Sequence, residues 1–436
     1  MQSDLNRADQ LTRRRFAARA AQTFLGVSTL PASIMFGDTV LAAGQGASQL
    51  KQIPTAKRVI YLYLSGGMSH LDTLDPKPGQ EAMGPTKTLN TPVDGLQLGE
   101  YLPRLAKRSA PHLAVVRSLS STQGAHKQGN YFMHTSYELR SSIRHPALGA
   151  WMLHLQGTDN PSLPGNVMIG NDSQHPGAGF LEAAYQPLMV NDPAGGLRHS
   201  QRSEFFTPET FSSQLQVSAK LDRAFAEKYD QRNVRAYQDM YQDAIRLMNS
   251  QDLAAFDLSK ESEATRDRYG DDPFGKGVLL ARRLVEHGVR CVEVSSSGWD
   301  THNANFVTLP EKAEILDQAL SALLDDLQRR GLLNDTLIVL ATEFGRTPEI
   351  NANEGRDHHP KAFSCLLAGG GIKGGQVYGR TDEIGADVVE NKVSVQDLNA
   401  TISYALGLPL DQIVYSPSLR PFTVADKGQP ITQLFA

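Results

Sequence analysis

The sequence predicts a layered α/β fold around a mainly parallel sheet, with a helical insertion. Three observations lead there. Apolar runs such as Arg58–Leu64, Thr336–Ala341 and Phe363–Ala368 are continuous rather than alternating, as in strands covered on both faces. Helix-like segments alternate with these runs. Between about 200 and 270 the chain changes character, with apolar residues at helical spacing among many charges.

The elements follow in order. Residues 44–57, rich in Gly, Ser, Gln and Ala, read as a linker, so the folded domain is 58–436. The strand Arg58–Leu64 runs into the tight turn Ser65-Gly66-Gly67. A second strand covers 113–116, a helix 146–155 and a third strand Asn166–Ile169. Phe225, Tyr229, Tyr237, Met240, Tyr241, Ala244, Ile245 and Met248 mark two or three inserted amphipathic helices. A helix over 278–288 stops at Gly288, and a strand covers 289–294. A long helix over 310–330 ends at Gly331. The strands Thr336–Ala341 and Phe363–Ala368 follow, the latter running into Gly369-Gly370-Gly371, expected as a turn or hairpin wall near the site.

Composition narrows the function. The chain of 436 residues is 40% hydrophobic and 21% charged, which excludes a mainly disordered, collagen-like or coiled-coil protein. A net charge of -4 leaves no basic excess for polymer phosphates, so no nucleic-acid partner is expected. The two cysteines, Cys291 and Cys365, exclude a disulfide framework and a thiolate zinc site. Thr12-Arg13-Arg14-Arg15-Phe16, followed by a mildly apolar stretch and small residues near 40–43, fits a twin-arginine signal over 1–43. The expected location is periplasmic or extracellular. That stretch, with its Pro31, is too weak for a membrane span, and no later stretch spans.

In parallel sheets ligands bind beyond the carboxyl ends of the strands. There the sequence places His70, Asp72 and Asp75; Thr122 and His126; Asp300 and His302; Glu343 and Arg346; and, from a following loop, Asp357 and His358. Oxygen and imidazole donors without thiolates suit zinc, manganese, iron or calcium. Asp also favours turns, so a single such residue means little. Four strand ends and the following loop, carrying them together, point to function.

The segments SGGMSHLDTLDPKPG, GWDTHNANF, LNDTLIVLATEFGRTPEIN, GRDHHP, LLAGGGIKGGQVYGRTDE and VQDLNATISYALGL resemble, in order over about 55–415, an exported bacterial domain-of-unknown-function family (number fifteen-oh-one). That family is similar to the alkaline phosphatase superfamily of phosphatases, sulfatases and phosphodiesterases. The resemblance implies a three-layer α/β/α sandwich, two metal sites and a hydroxyl or formylglycine nucleophile. It implies that Asp300, His302 and His358, supported by Asp357, hold a divalent metal (zinc, manganese or calcium). Glu343 stands where the superfamily has a ligand Asp, and Phe344 where it has a ligand His. Ser65 replaces the first-strand Asp, with His70, Asp72 or Asp75 as substitutes from the same loop. Thr122 through His126 is similar to the Thr-x-x-x-His turn in which Thr is the nucleophile. Arg346 would hold the anionic group of a small ester substrate. Neither cysteine lies in the sulfatase Cys-x-Pro-x-Arg pattern.

Two readings remain open on sequence. One is an exported metal-dependent hydrolase of a phosphate, sulfate or related ester. The other is a non-catalytic exported binding or assembly protein with a degenerate metal site, favoured by Phe344 and Ser65.

Overall fold

The computed structural model describes residues 54–197 and 250–436, with 207, 209–211, 213–214, 216–218, 220 and 244–248 between them. The twin-arginine segment 1–43, most of the linker, and Phe225, Tyr229, Tyr237, Met240 and Tyr241 of the insertion lie outside the described residues. Ala244, Ile245 and Met248 are helical, as is Glu263–Tyr269. Among the described residues no helix is long and apolar enough to cross a membrane.

Nine strands form the central sheet. The eight used below are β1 (Arg58–Leu64), β2 (Leu113–Ser120), β3 (Asn166–Ile169), β4 (Leu188–Val190), β5 (Cys291–Ser296), β6 (Thr336–Ala341), β7 (Phe363–Ala368) and β8 (Gln376–Tyr378). Their order is β8-β2-β7-β6-β1-β5-β3-β4, and the short strand Val393–Ser394 also pairs with β2. Every pairing is parallel except those of β7, which runs against both β6 and β2.

The five principal helices are α1 (His126–Thr135), α2 (Leu148–Gln156), α3 (Pro273–Glu286), α4 (Asn305–Arg329) and α5 (Val395–Ala405). Alternate strand residues feed two separate cores. Ile60, Leu62 and Leu64 of β1 pack with Val278 and Leu284 of α3 and Leu316 and Leu320 of α4. Val59, Tyr61 and Tyr63 pack with Met133 of α1, Trp151 of α2 and Leu398 of α5. The result is the expected α/β/α sandwich, and apolar residues on both sheet faces explain the continuous runs.

Three sequence expectations change. The helix α3 starts at Pro273 rather than 278, because Asp272 caps the Phe274 N–H and Pro suits the first helical position. The helix α4 starts one turn before Pro310. There Asn305 is anchored by the Thr301 hydroxyl and donates to Asp72 and, through its backbone, to the Glu354 carbonyl. The run Gly369-Gly370-Gly371 is not near the site. Because β7 is reversed, these glycines abut Leu333, Leu337, Thr55 and Ala56, at the amino ends of β1 and β6.

Candidate functional site

The cluster forms where β1, β2, β5 and β6 end. The turn after β1 lies against the backbone of Trp299 and Asp300 so closely that a Cβ on Gly66 would collide with it; Gly66 also sits at φ 126°. This approach brings Asp300 over the end of β1. Beyond β6, Gly345–Arg346 pairs antiparallel with His358–His359 and carries His358 to the same place. The turn after β2 delivers His126 as the first residue of α1.

Asp300 is the hub. Its Oδ1 lies 2.5 Å from Arg346 Nη2, 3.2 Å from His302 Nε2 and 3.4 Å from His358 Nε2, and its Oδ2 lies 3.2 Å from His126 Nε2. Partial burial pushes the Asp300 carboxyl up, but Arg346, His126 and His302 outweigh this and hold it below the usual range. His302 and His358 face each other, Nε2 to Nε2, at 2.9 Å. The far nitrogen of each ring meets an acceptor: His302 Nδ1 lies 2.6 Å from Asp357 Oδ1, and His358 Nδ1 lies 2.8 Å from the Gly124 carbonyl. His126 Nδ1 lies 2.8 Å from Glu343 Oε1. The buried Glu343 is itself held by the Gly66 N–H at 2.8 Å and the Tyr63 hydroxyl at 3.0 Å. The bond to Glu343 raises the affinity of His126 for a proton, partly offset by burial. Burial lowers that of His358, against its bond to Gly124.

These distances allow a fit test for a cation. Each Nδ1 facing a carbonyl or carboxylate must carry the ring's proton, so in the neutral rings both Nε2 atoms present lone pairs to each other. Two lone pairs at 2.9 Å with a carboxylate oxygen beside them are satisfied by a shared proton or by a metal cation. The carboxylate behind His302 is the usual orienting partner of a metal-bound imidazole. The residues fit a divalent cation.

The structure thus brings together Asp300, His302, Asp357, His358, His126, Glu343 and Arg346. It leaves four expected residues elsewhere, among them Asp75, which is buried and pairs with Lys77 at 3.0 Å and Arg117 at 3.3 Å. His70 is fully buried and its Nε2–H donates to the Gly385 carbonyl; burial pushes its pKa down to about 4. Asp72 is paired with Arg356 at 2.8 Å and accepts from Ser69, Thr86 and Asn305, which makes it part of a buried structural network. Thr122 is exposed; its hydroxyl accepts from Gln123 and, among the described residues, makes no hydrogen bond to the cluster. The role expected of Arg346 also changes. Its guanidinium is fully buried and donates to the carbonyls of Gly66, Gly67 and Arg356 and to Asp300, so it positions Asp300 and is closed to substrate. Phe344 is buried against His126 and His358, with ring centroids 5.1 and 4.4 Å away. Trp299 is a buried plug donating to Ser296 Oγ.

A second histidine–carboxylate group was not foreseen. Residues 126, 130 and 134 form one face of α1, and each meets a carboxylate: Glu343, Asp172 and Glu293. His175 joins Glu293 from the other side at 3.3 Å. The four-residue spacing of 126, 130 and 134 is readable from the sequence as one helix face; nothing in sequence spacing links 134, 175 and 293.

A layered α/β protein with an imidazole–carboxylate cluster at its strand ends is the class that fold and site define. Residues 56–435 match the family described as "Protein of unknown function (DUF1501)", and the chain belongs to that family. Solved structures similar to it include the PsFucS1 sulfatase from Pseudoalteromonas sp., at TM-score 0.41 and 12% identity, over 86% of this chain and 73% of that one. The lipoteichoic acid synthase LtaP from Listeria monocytogenes aligns at TM-score 0.37 and 9% identity, over 82% and 74%. The alkaline phosphatase of the Antarctic bacterium TAB5 aligns at TM-score 0.31 and 12% identity, over 74% and 95%. No curated protein matches the chain.

Proposed function

We propose that the chain is an exported, metal-dependent hydrolase of a phosphate, sulfate or related ester. The observation that carries the reading is the pair of facing Nε2 atoms of His302 and His358, 2.9 Å apart beside Asp300. Asp300, His302 and His358 would hold the cation. With imidazole donors in the set, zinc or manganese suits it better than calcium, which takes oxygen ligands. When bound, such a cation polarises the ester oxygen and acidifies water.

The protein's own groups do the rest. Glu343 keeps the His126 proton on Nδ1 and leaves Nε2, directed toward Asp300, as a base for the attacking water. Asp357 and the Gly124 carbonyl fix the other two rings. Arg346 holds Asp300 in place from beneath. Among the described residues no hydroxyl hydrogen-bonds to Asp300, His302 or His358, which supports direct attack by water over a covalent route through Thr122.

One observation favours the alternative, a non-catalytic binding or assembly protein: Phe344 fills the space beside His126 and His358 where a further ligand would stand. Protein purified without chelator and assayed on aryl phosphate, aryl phosphodiester and aryl sulfate separates the two. Bound metal with turnover on one ester supports the hydrolase; bound metal without turnover supports the binding protein. Export rests on the Arg13-Arg14 pair. Replacing both with Lys should retain the protein in the cytoplasm, and normal export of that variant would remove the assignment.

A further inference from the structure

Lys127 follows His126 in the first turn of α1. Consecutive Cα atoms are about 3.8 Å apart and their side chains diverge by about 100° around a helix. His126 therefore faces the cluster while Lys127 lines a separate cleft of about 500 Å³. That volume falls within the range of small-molecule sites, roughly 300–1,000 Å³. The cleft is also lined by Arg144, Ser173, Gln174, His175 and Gln186. No carboxylate is among its lining residues, and Lys127 and Arg144, both exposed, have no ion-pair partner among the described residues. Asp172, beside Ser173, is turned to other work: it accepts from Asn130 Nδ2 at 2.7 Å and from the Gln174 N–H at 2.8 Å. The cleft wall is fixed. His175 is pinned between Glu293 and the Gly177 N–H, and Gln186 Oε1 accepts from the Ala178 N–H, while its amide N–H2 has no partner among the described residues.

We infer that this cleft is a subsite for a second anionic group on a polyhydroxylated substrate, an acidic saccharide bearing more than one sulfate or phosphate ester. The inference rests on the hydrolase reading for its reacting ester. That ester sits on the His126 side of the turn, and the rest of the molecule lies across Lys127. Two unpaired cations select the anion. The neighbouring amides and the Ser173 hydroxyl suit sugar hydroxyls, and the nearby acids, Asp172 and Glu293, stand behind the lining bonded to other donors.

The test is calorimetric binding of short dextran sulfate and dextran phosphate oligomers, with neutral dextran, inorganic sulfate and a thymidine oligonucleotide as comparisons. It uses the full protein and the Lys127→Gln and Arg144→Gln variants, each with and without EDTA. One charged oligomer should bind, neutral dextran should not, and each variant should weaken binding about tenfold, the worth of one charge-assisted hydrogen bond. Which oligomer binds names the ester. EDTA and His302→Ala should leave a measurable share of the binding, which separates this result from failure of the hydrolase reading. Equal affinity in wild type and both variants would overturn the inference, as would inorganic sulfate binding as tightly as the oligomers or the oligonucleotide binding more tightly than either dextran.

Discussion

Two groups of histidines and carboxylates flank the same helix, and they are chemically opposite. At the strand ends, His302 and His358 turn lone pairs toward each other because their far nitrogens donate to Asp357 and Gly124. Below the other half of α1, His175 Nδ1 accepts from the Gly177 N–H, so its proton sits on Nε2 and points at Glu293. His134 donates from Nδ1 to the Asn130 carbonyl and places Nε2 3.1 Å from Glu293. That second group is closed by its own protons: Glu293 is an anion between an imidazolium and an imidazole N–H. The same residue types thus make a cluster with facing lone pairs or a buried ion pair. The partner of each outer ring nitrogen decides which.

The largest effect expected from this contrast is on stability. Glu293→Ala leaves His134 buried without its counter-charge, and breaking a buried pair from one side costs about 3–5 kcal/mol. Urea unfolding should show that loss while metal content per folded molecule stays unchanged. A metal loss in this variant would show that the second group, too, is a metal site.

The pH dependence is next in size. Burial pushes the His134 pKa down, but Glu293 outweighs it and the value rises to about 9 from 6.5. A raised value means stabilisation that is full below about 6.5 and lost as the pH rises through about 9, on the order of 3 kcal/mol in total. Glu293, held below its usual 4.5 by His134 and His175 against burial, adds stability present above that value and lost as the pH falls further. Melting temperatures between pH 6 and 9.5 should fall in wild type and stay flatter in His134→Gln. Equal slopes would contradict the ion-pair description.

Much of the fold was legible because burial on both faces writes itself as unbroken apolar runs, as in β1 and β6. Strand ends were legible too, which is why Asp300 and Glu343 could be named; His358 came from the loop motif GRDHHP. Tertiary features were not. The reversed direction of β7 leaves no trace in its residues, so the glycines after it were expected at the wrong end of the sheet. Arg346 reads as an anion-holding residue and Arg356 only as part of a loop motif, since arginine is rarely buried without a partner and the sequence does not show the partner. The structure buries both, on Asp300 and Asp72. His134, His175 and Glu293 come from a helix, a loop and a strand, and only the folded chain assembles them.

Two smaller effects sharpen the cation site. Asp357→Asn removes the carboxylate behind His302 and should weaken metal binding about 10–100-fold with little change in melting temperature, read by competition with a chromogenic chelator. An unchanged affinity would make Asp357 a bystander. Thr122→Ala should change turnover and stability least, within about 0.5 kcal/mol, because the hydroxyl is exposed and bonded only to its neighbour among the described residues. Abolished turnover would restore Thr122 as the nucleophile.

The most direct measurement is the metal content of wild type, His302→Ala, His358→Ala and Glu293→Ala, purified without chelator and analysed by mass spectrometry. Zinc or manganese should be present in wild type and Glu293→Ala and lost from both histidine variants, with those variants still folded. Metal retained in His302→Ala and His358→Ala, or absent from wild type even after incubation with either ion, would contradict a cation between those two rings.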